Sequence, residues 1–265
     1  MTAGATKLDE VLTDLEAESN QLDALVASLA ADDWRMSTPA ETWTIAHQIA
    51  HLASTDEAAV LAATDKQGWD GLVRQVGMDP SGFVDSAAAS LVAAPPGDLL
   101  AAWRASRKRL HSALREFPAG RKLPWFGPPM SPTSMATARF METWAHGLDI
   151  AEALDAVSEP TDPVRHVVHL GVRTRGFTFA SRGLPLPTED VYVHVTLPSG
   201  MVWEDGSPDA KNSIRGSAYH FALCVTQRRH RDDLDLLATG EVADQWLDIA
   251  QAFAGPPGRG RRPAP

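Results

Sequence analysis

The chain of 265 residues holds a single cysteine, Cys224, which excludes an internal disulfide framework and a cysteine-rich zinc module. Positive charge is also in short supply: 24 lysines and arginines stand against 34 aspartates and glutamates, a formal net charge of −10. That field repels phosphate backbones and anionic lipid surfaces, so neither nucleic acid nor a membrane is an expected partner. No run reaches the ~18 uninterrupted apolar residues of a membrane span. The opening MTAGATKLDEVLTDLEAE lacks the apolar core of a signal peptide, and a cytoplasmic location is the simplest expectation. A Gly-rich phosphate loop, a G-x-S-x-G elbow and a dinucleotide fingerprint are missing too. What remains is ordinary globular composition, 44% hydrophobic and 22% charged, in a chain long enough for a real core.

Apolar residues Leu8, Val11, Leu12, Leu15, Leu22, Leu25, Val26 and Leu29 recur at helical spacing and predict a first amphipathic helix. Pro39 and polar turn formers interrupt it. A second helix, TIAHQIAHLASTDEAAVLAATD, follows, with Thr42 or Thr44 placed to cap it. Four glycines between residues 66 and 94 obscure any long periodicity there, although DSAAASLVAA reads as helical. GDLLAAWRASRKRLHSALREF and SMATARFMETWAHGLDIAEALD are further helices, separated by the turn-rich KLPWFGPPMSPTS. Four long helices suggest a bundle over residues 1–157.

Past residue 157 the pattern changes. Residues 163–180 read as helix, and VYVHVTLPSGMVWEDG alternates with period two around Pro-Ser-Gly, as a hairpin does. NSIRGS fits a third strand, AYHFALCVTQRR a helix, LLATG a strand or turn, and ADQWLDIAQAFAG a final helix. The expected class is α+β overall, with a small α+β domain over 158–252. The tail 253–265, whose one basic run is Arg259, Arg261 and Arg262, is too poor in apolar surface to fold and is expected to be flexible.

Two of the predicted bundle helices place metal-capable side chains four residues apart, His47 with His51 and Glu142 with His146. Spacing i, i+4 stacks both side chains on one helix face, and facing helices are where bundles build metal sites. His51 lies in the apolar string Ile49, Ala50, Leu52, Ala53 and should point inward. A His–Glu–His set with one open position is the form of a catalytic zinc site, whereas a structural site is closed by four protein ligands. Asp149, three residues after His146, is near the same face. It is either an acceptor that fixes a ligand histidine's tautomer or a helix-surface charge. Cys224 sits in the apolar FALCV and reads as a buried, inert thiol; Trp43 and Trp144 read as packing residues.

The string ETWTIAHQIAHLASTDE resembles the W-T-x-x-x-x-x-x-H-L signature of the DinB-like superfamily, in particular the mycothiol-dependent maleylpyruvate isomerase family. METWAHGLDIAEAL resembles that family's second signature, E-x-W-x-H-G-x-D-I. The resemblance implies a DinB-like four-helix bundle that holds zinc or another divalent ion on His51, Glu142 and His146. His47 stands where many relatives carry an acidic residue, and a fourth ligand, a group behind the ligands or a bystander are all open for it. The family also has an arginine at the end of a later helix that holds an anionic group. Arg228 in TQRRHRDD is the best match and Arg229 the next, and a guanidinium fork suits a carboxylate.

The resemblance therefore implies a metal-dependent isomerase or thiol transferase. In this reading the metal activates mycothiol for attack on a small acidic substrate, and Arg228 and Asp149 assist. Two other readings stay open: a metal-dependent hydrolase or lyase that uses no thiol, and a bundle that only binds metal or ligand.

Overall fold

The computed structural model describes residues 6–79, 83–255, 257–258 and 260–264, with backbone alone for 83–85. Arg259 of the basic tail lies outside these residues. The chain divides into two compact units, Met1–Val157 and Ser158–Pro265.

The first unit is helical. Its four long helices are α1 (Lys7–Val26), α2 (Ile45–Thr64), α5 (Pro96–Glu116) and α6 (Pro132–Ala153), with the shorter α3 (Lys66–Met78) and α4 (Phe83–Val92) between α2 and α5. α1 starts at a reciprocal cap, in which Thr6 Oγ1 accepts the Asp9 N–H at 3.2 Å and the Asp9 carboxylate accepts the Thr6 N–H at 3.1 Å. It ends three residues before Leu29, which still packs against the core from the following turn. Leu22, Trp34, Ile45, Ile49, Leu52, Trp103 and Ile150 form that core. Each such side chain contributes about 1.5–3 kcal/mol on burial.

α3 forms despite Gly68, Gly71 and Gly77. Asp65 caps it by accepting the Gly68 N–H at 3.0 Å. A Cβ on Gly68 would lie 2.6 Å from that carboxylate and 2.9 Å from Leu61 Cδ2. The glycine that reads as a breaker is what lets α2 turn directly into α3.

Ion pairs and side-chain hydrogen bonds link the helices. Asp23 with Arg104 and Asn20 with Arg107 join α1 to α5 in an antiparallel register. Asp56 with Arg139 joins α2 to α6, with N···O at 2.8 Å and both side chains buried.

Glu18 on α1 is half-buried, and burial pushes its carboxyl from 4.5 up to about 7. An acid whose folded pKa is raised holds its proton longer when folded, so its contribution is favourable below the unfolded value. Stability then falls as pH rises from 4.5 to about 7, and the loss persists above that. Glu18→Gln should therefore raise stability at pH 8 by about 1–3 kcal/mol and leave it nearly unchanged at pH 4. Thermal unfolding at the two pH values checks this, and an equal shift at both would contradict it.

The second unit begins with a 3-10 turn at Asp162–Val164, then α7 (Arg165–Arg173) and α8 (Arg175–Ser181), two short helices where the sequence suggests one. The strands are β1 (Val191–Thr196), β2 (Val202–Asp205), β3 (Asn212–Ser217) and β4 (Leu236–Thr239), in the order β2-β1-β3-β4. β1 and β2 form the expected hairpin, with Thr196 opposite Val202 and Gly200 at φ 89° in the turn. β3 pairs parallel to β1 and antiparallel to β4. Val191, Val193, Val195 and Ile214 are buried.

α9 (Ala218–Val225) and α10 (Glu241–Ile249) complete the unit. α9 stops short of the predicted TQRR extension because Gln227 adopts φ 57° and the Arg228 N–H donates back to Leu223 O at 2.8 Å, a Schellman-type end. In the described part of the tail, the Ala264 N–H donates to the Asp233 carboxylate at 3.0 Å. No helix among the described residues is long and apolar enough to cross a membrane.

Candidate metal centre

The antiparallel register of α2 and α6 brings His51, Glu142 and His146 together. His51 Nε2 lies 3.3 Å and His146 Nε2 3.1 Å from the same oxygen, Glu142 Oε2. One ligand atom from each residue falls within 4.8 Å of the others, the one such group among the described residues. His51 is 9% exposed and the other two are half-buried. Burial alone would raise Glu142. Hydrogen bonds from His146 and His51, and the charge of both rings, outweigh it and hold the carboxyl well below the usual range.

These spacings fit a metal. Zinc–nitrogen and zinc–carboxylate bonds of ~2.0–2.1 Å in a tetrahedron place neighbouring donors about 3.3 Å apart. Two neutral imidazoles and one carboxylate supply the nitrogen and oxygen donors that a borderline divalent ion takes.

Trp43, in the loop before α2, covers the imidazoles. Its ring centroid lies 5.9 Å from His146 in a stacked arrangement and 5.3 Å from His51. His47 stays outside the group. Its Nδ1 sits 2.8 Å from Thr44 Oγ1 and 3.3 Å from the Thr44 N–H, which it accepts, so it takes the place of the acidic residue in a capping box. Its ring lines a cleft with Trp34, Val92 and Leu99. Asp149, at 2% exposure, is buried and not a surface charge.

Arg228 and Arg229 lie in the second unit, in the turn that ends α9 and not on the helix. Arg228 Nη1 donates to Thr226 O and Arg229 Nη1 to Arg228 O, each at 2.8 Å. Cys224 is buried, and burial pushes its thiol up to about 12, as an inert cysteine requires.

Three buried residues beside the ligands escaped the sequence reading. Gln48 reaches the His146 ring, and Asp56 and Arg139 form the ion pair described above. The available signal was polarity out of place: Gln48 stands three residues before His51 in an apolar run, and Arg139 three before Glu142.

A family model for the mycothiol maleylpyruvate isomerase N-terminal domain matches residues 15–151. Two uncharacterized proteins from strains of Mycobacterium tuberculosis are each 54% identical over 250 residues, covering 94% of this chain and 97% of their own. Among solved structures, mycothiol-dependent maleylpyruvate isomerase superposes with a TM-score of 0.59 and a histidine-to-alanine mutant of it with 0.61. Both are 18% identical, covering 87% of this chain and 92% of theirs, a likeness that speaks for the α+β fold alone.

Proposed function

Because the chain belongs to the mycothiol maleylpyruvate isomerase N-terminal domain family, we propose that it is a metal-dependent isomerase or thiol transferase acting on a small, acidic substrate in the cytoplasm. The observation that carries this reading is the approach of two imidazole nitrogens to Glu142 Oε2, at 3.3 and 3.1 Å, the length of a tetrahedral edge, with all three donors within 4.8 Å of one another.

Residues 1–157 are the metal-binding bundle in this proposal. His51 and His146 present their Nε2 atoms, and the Glu142 carboxylate offsets part of the ion's charge. Three protein ligands leave a position for an exchangeable group. An ion held by His51, Glu142 and His146, zinc in this proposal, would supply Lewis acidity, lowering the pKa of a mycothiol thiol or a water brought to it. Trp43 shields the rings from one side, which lowers the local dielectric around the charged carboxylate. Residues 158–252 are assigned the carboxylate-recognising role, through Arg228 or, failing that, Arg229. That assignment rests on the match of TQRRHRDD to the family and on the fit of a guanidinium to a carboxylate.

The test is turnover of maleylpyruvate by zinc-loaded protein with and without mycothiol, alongside the visible spectrum of a cobalt-substituted sample as thiol is added. Turnover that needs both metal and thiol, with a spectral change on thiol addition, is expected. Metal-dependent turnover of a small acid that ignores thiol would replace this reading with a hydrolase or lyase. Metal binding with no thiol response and no turnover would leave a binding bundle.

A further inference from the structure

Val191, Val193, Val195 and Ile214 turn one face of the second unit's sheet inward, and the alternate residues Tyr192, His194 and Arg215 lie on the other. β1 and β3 run parallel. At their carboxyl ends opens a cleft of about 790 Å³, lined by Arg215, Asp235 and His220 and by the apolar Pro160, Leu197 and Pro198. It lies wholly within the second unit. Crevices outside the carboxyl ends of parallel strands are where open sheets bind ligands, and small-molecule sites combine apolar walls with a few placed polar groups.

The two charges of the cleft are held in place from behind. The Arg215 guanidinium sits 5.4 Å from the centroid of the Tyr192 ring, a cation–π contact. The Tyr192 hydroxyl donates to Glu204 at 2.6 Å, which fixes the ring and engages that carboxylate. Gly216, at φ 142°, lets the Asp235 backbone come close, for a Cβ there would lie 2.3 Å from Asp235 O. The Asp235 N–H donates to His220 Nδ1 at 3.0 Å and ties the segment to α9. Arg215 and Asp235 are both exposed and, among the described residues, form no ion pair with each other or with a third group.

We propose that this cleft binds a small zwitterion, an amino acid with an apolar side chain, its carboxylate on Arg215 and its ammonium on Asp235. A guanidinium resting on a ring face keeps its N–H edge free for the two oxygens of a carboxylate. Asp235 decides between anions. A phosphate dianion would be repelled by it, whereas a ligand with an ammonium end meets both charges with the opposite sign. Pro160, Leu197 and Pro198 offer apolar surface to the ligand's side chain. The proposal does not depend on a metal in the bundle.

Calorimetric titration of the full-length chain with L-leucine tests this, beside 4-methylpentanoate, which lacks the amine, 3-methylbutylamine, which lacks the carboxylate, and inorganic phosphate. Leucine should bind saturably, one per chain. Each single-ended analogue should bind about 10–100-fold more weakly, the worth of a hydrogen bond to a charged group. Arg215→Gln should weaken leucine by a similar factor and leave 3-methylbutylamine unchanged. Asp235→Asn should weaken leucine yet tighten 4-methylpentanoate, whose carboxylate then meets no like charge. Both side chains are exposed, so the variants should fold as the wild type does, which circular dichroism checks. Leucine binding that survives both substitutions, as chelation at a metal in the bundle would, overturns the proposal. So does a wild type that gives no saturable heat with leucine, or that binds phosphate more tightly.

Discussion

Glu142→Ala is expected to leave the protein unable to retain a divalent ion through gel filtration against a weak chelator, where the wild type keeps about one per chain. Glu142 Oε2 is the atom both imidazoles approach, and its carboxylate is the one formally charged donor of the group. Losing an outer hydrogen bond to a ligand costs about 10–100-fold in metal affinity. Loss of a charged ligand should exceed that, and His51→Ala should resemble it. Elemental analysis of the purified variants gives the answer, and stoichiometric metal in Glu142→Ala would show that this carboxylate is no ligand. The same carboxylate also matters in the metal-free chain. Its folded pKa is depressed well below 4.5, so its stabilising contribution is present above that value and lost as pH falls through the lower folded value.

The second large effect concerns folding. Arg139→Met should destabilise the chain by about 3–5 kcal/mol at pH 7, because removing one member of a buried ion pair leaves its partner uncompensated. Asp56 and Arg139 side chains are 5% and 3% exposed, and Arg139 Nη2 has no hydrogen-bond partner among the described residues. Burial already pushes Asp56 above its ordinary value, with Arg139 opposing. Without the guanidinium the folded pKa rises further, so the deficit should shrink as pH falls and Asp56 takes up a proton. The double variant Asp56→Leu/Arg139→Met should recover most of the loss, since an apolar pair of similar volume has no charge to desolvate. Urea unfolding of the three chains at pH 7 and pH 5 measures this. A pH-independent deficit that the double variant shares would point to lost packing and not to an unpaired charge.

The long helices and the β1–β2 hairpin were legible because each depends on local pattern: period near four in LTDLEAESNQLDALV, period two in VYVHVT. α3 was not, since Gly68, Gly71 and Gly77 thin its periodicity and the need for Gly68 arises from Leu61 and Asp65 in three dimensions. The parallel pairing of β3 with β1 skips β2, and nothing local encodes it. At the metal centre, residue spacing supplied four candidates. His47 left the set because its Nδ1 serves the Thr44 cap, a job the sequence usually gives to a carboxylate. Gln48 was hidden for the opposite reason: its place depends on contact with a ring 98 residues away. Arg228 and Arg229 were read onto a helix that a left-handed Gln227 ends first.

The residues that meet at Glu142 are far apart along the chain, His51 lying 91 positions before it. A nascent chain that has not yet made α6 holds one member of the set and has nowhere to complete it. Closing so long a loop comes late in assembly, after local helices have formed. In the proposed reading, ion capture would have to wait until α6 docks against α2, and by mass action a bound ion would stabilise the contact that creates its own binding place.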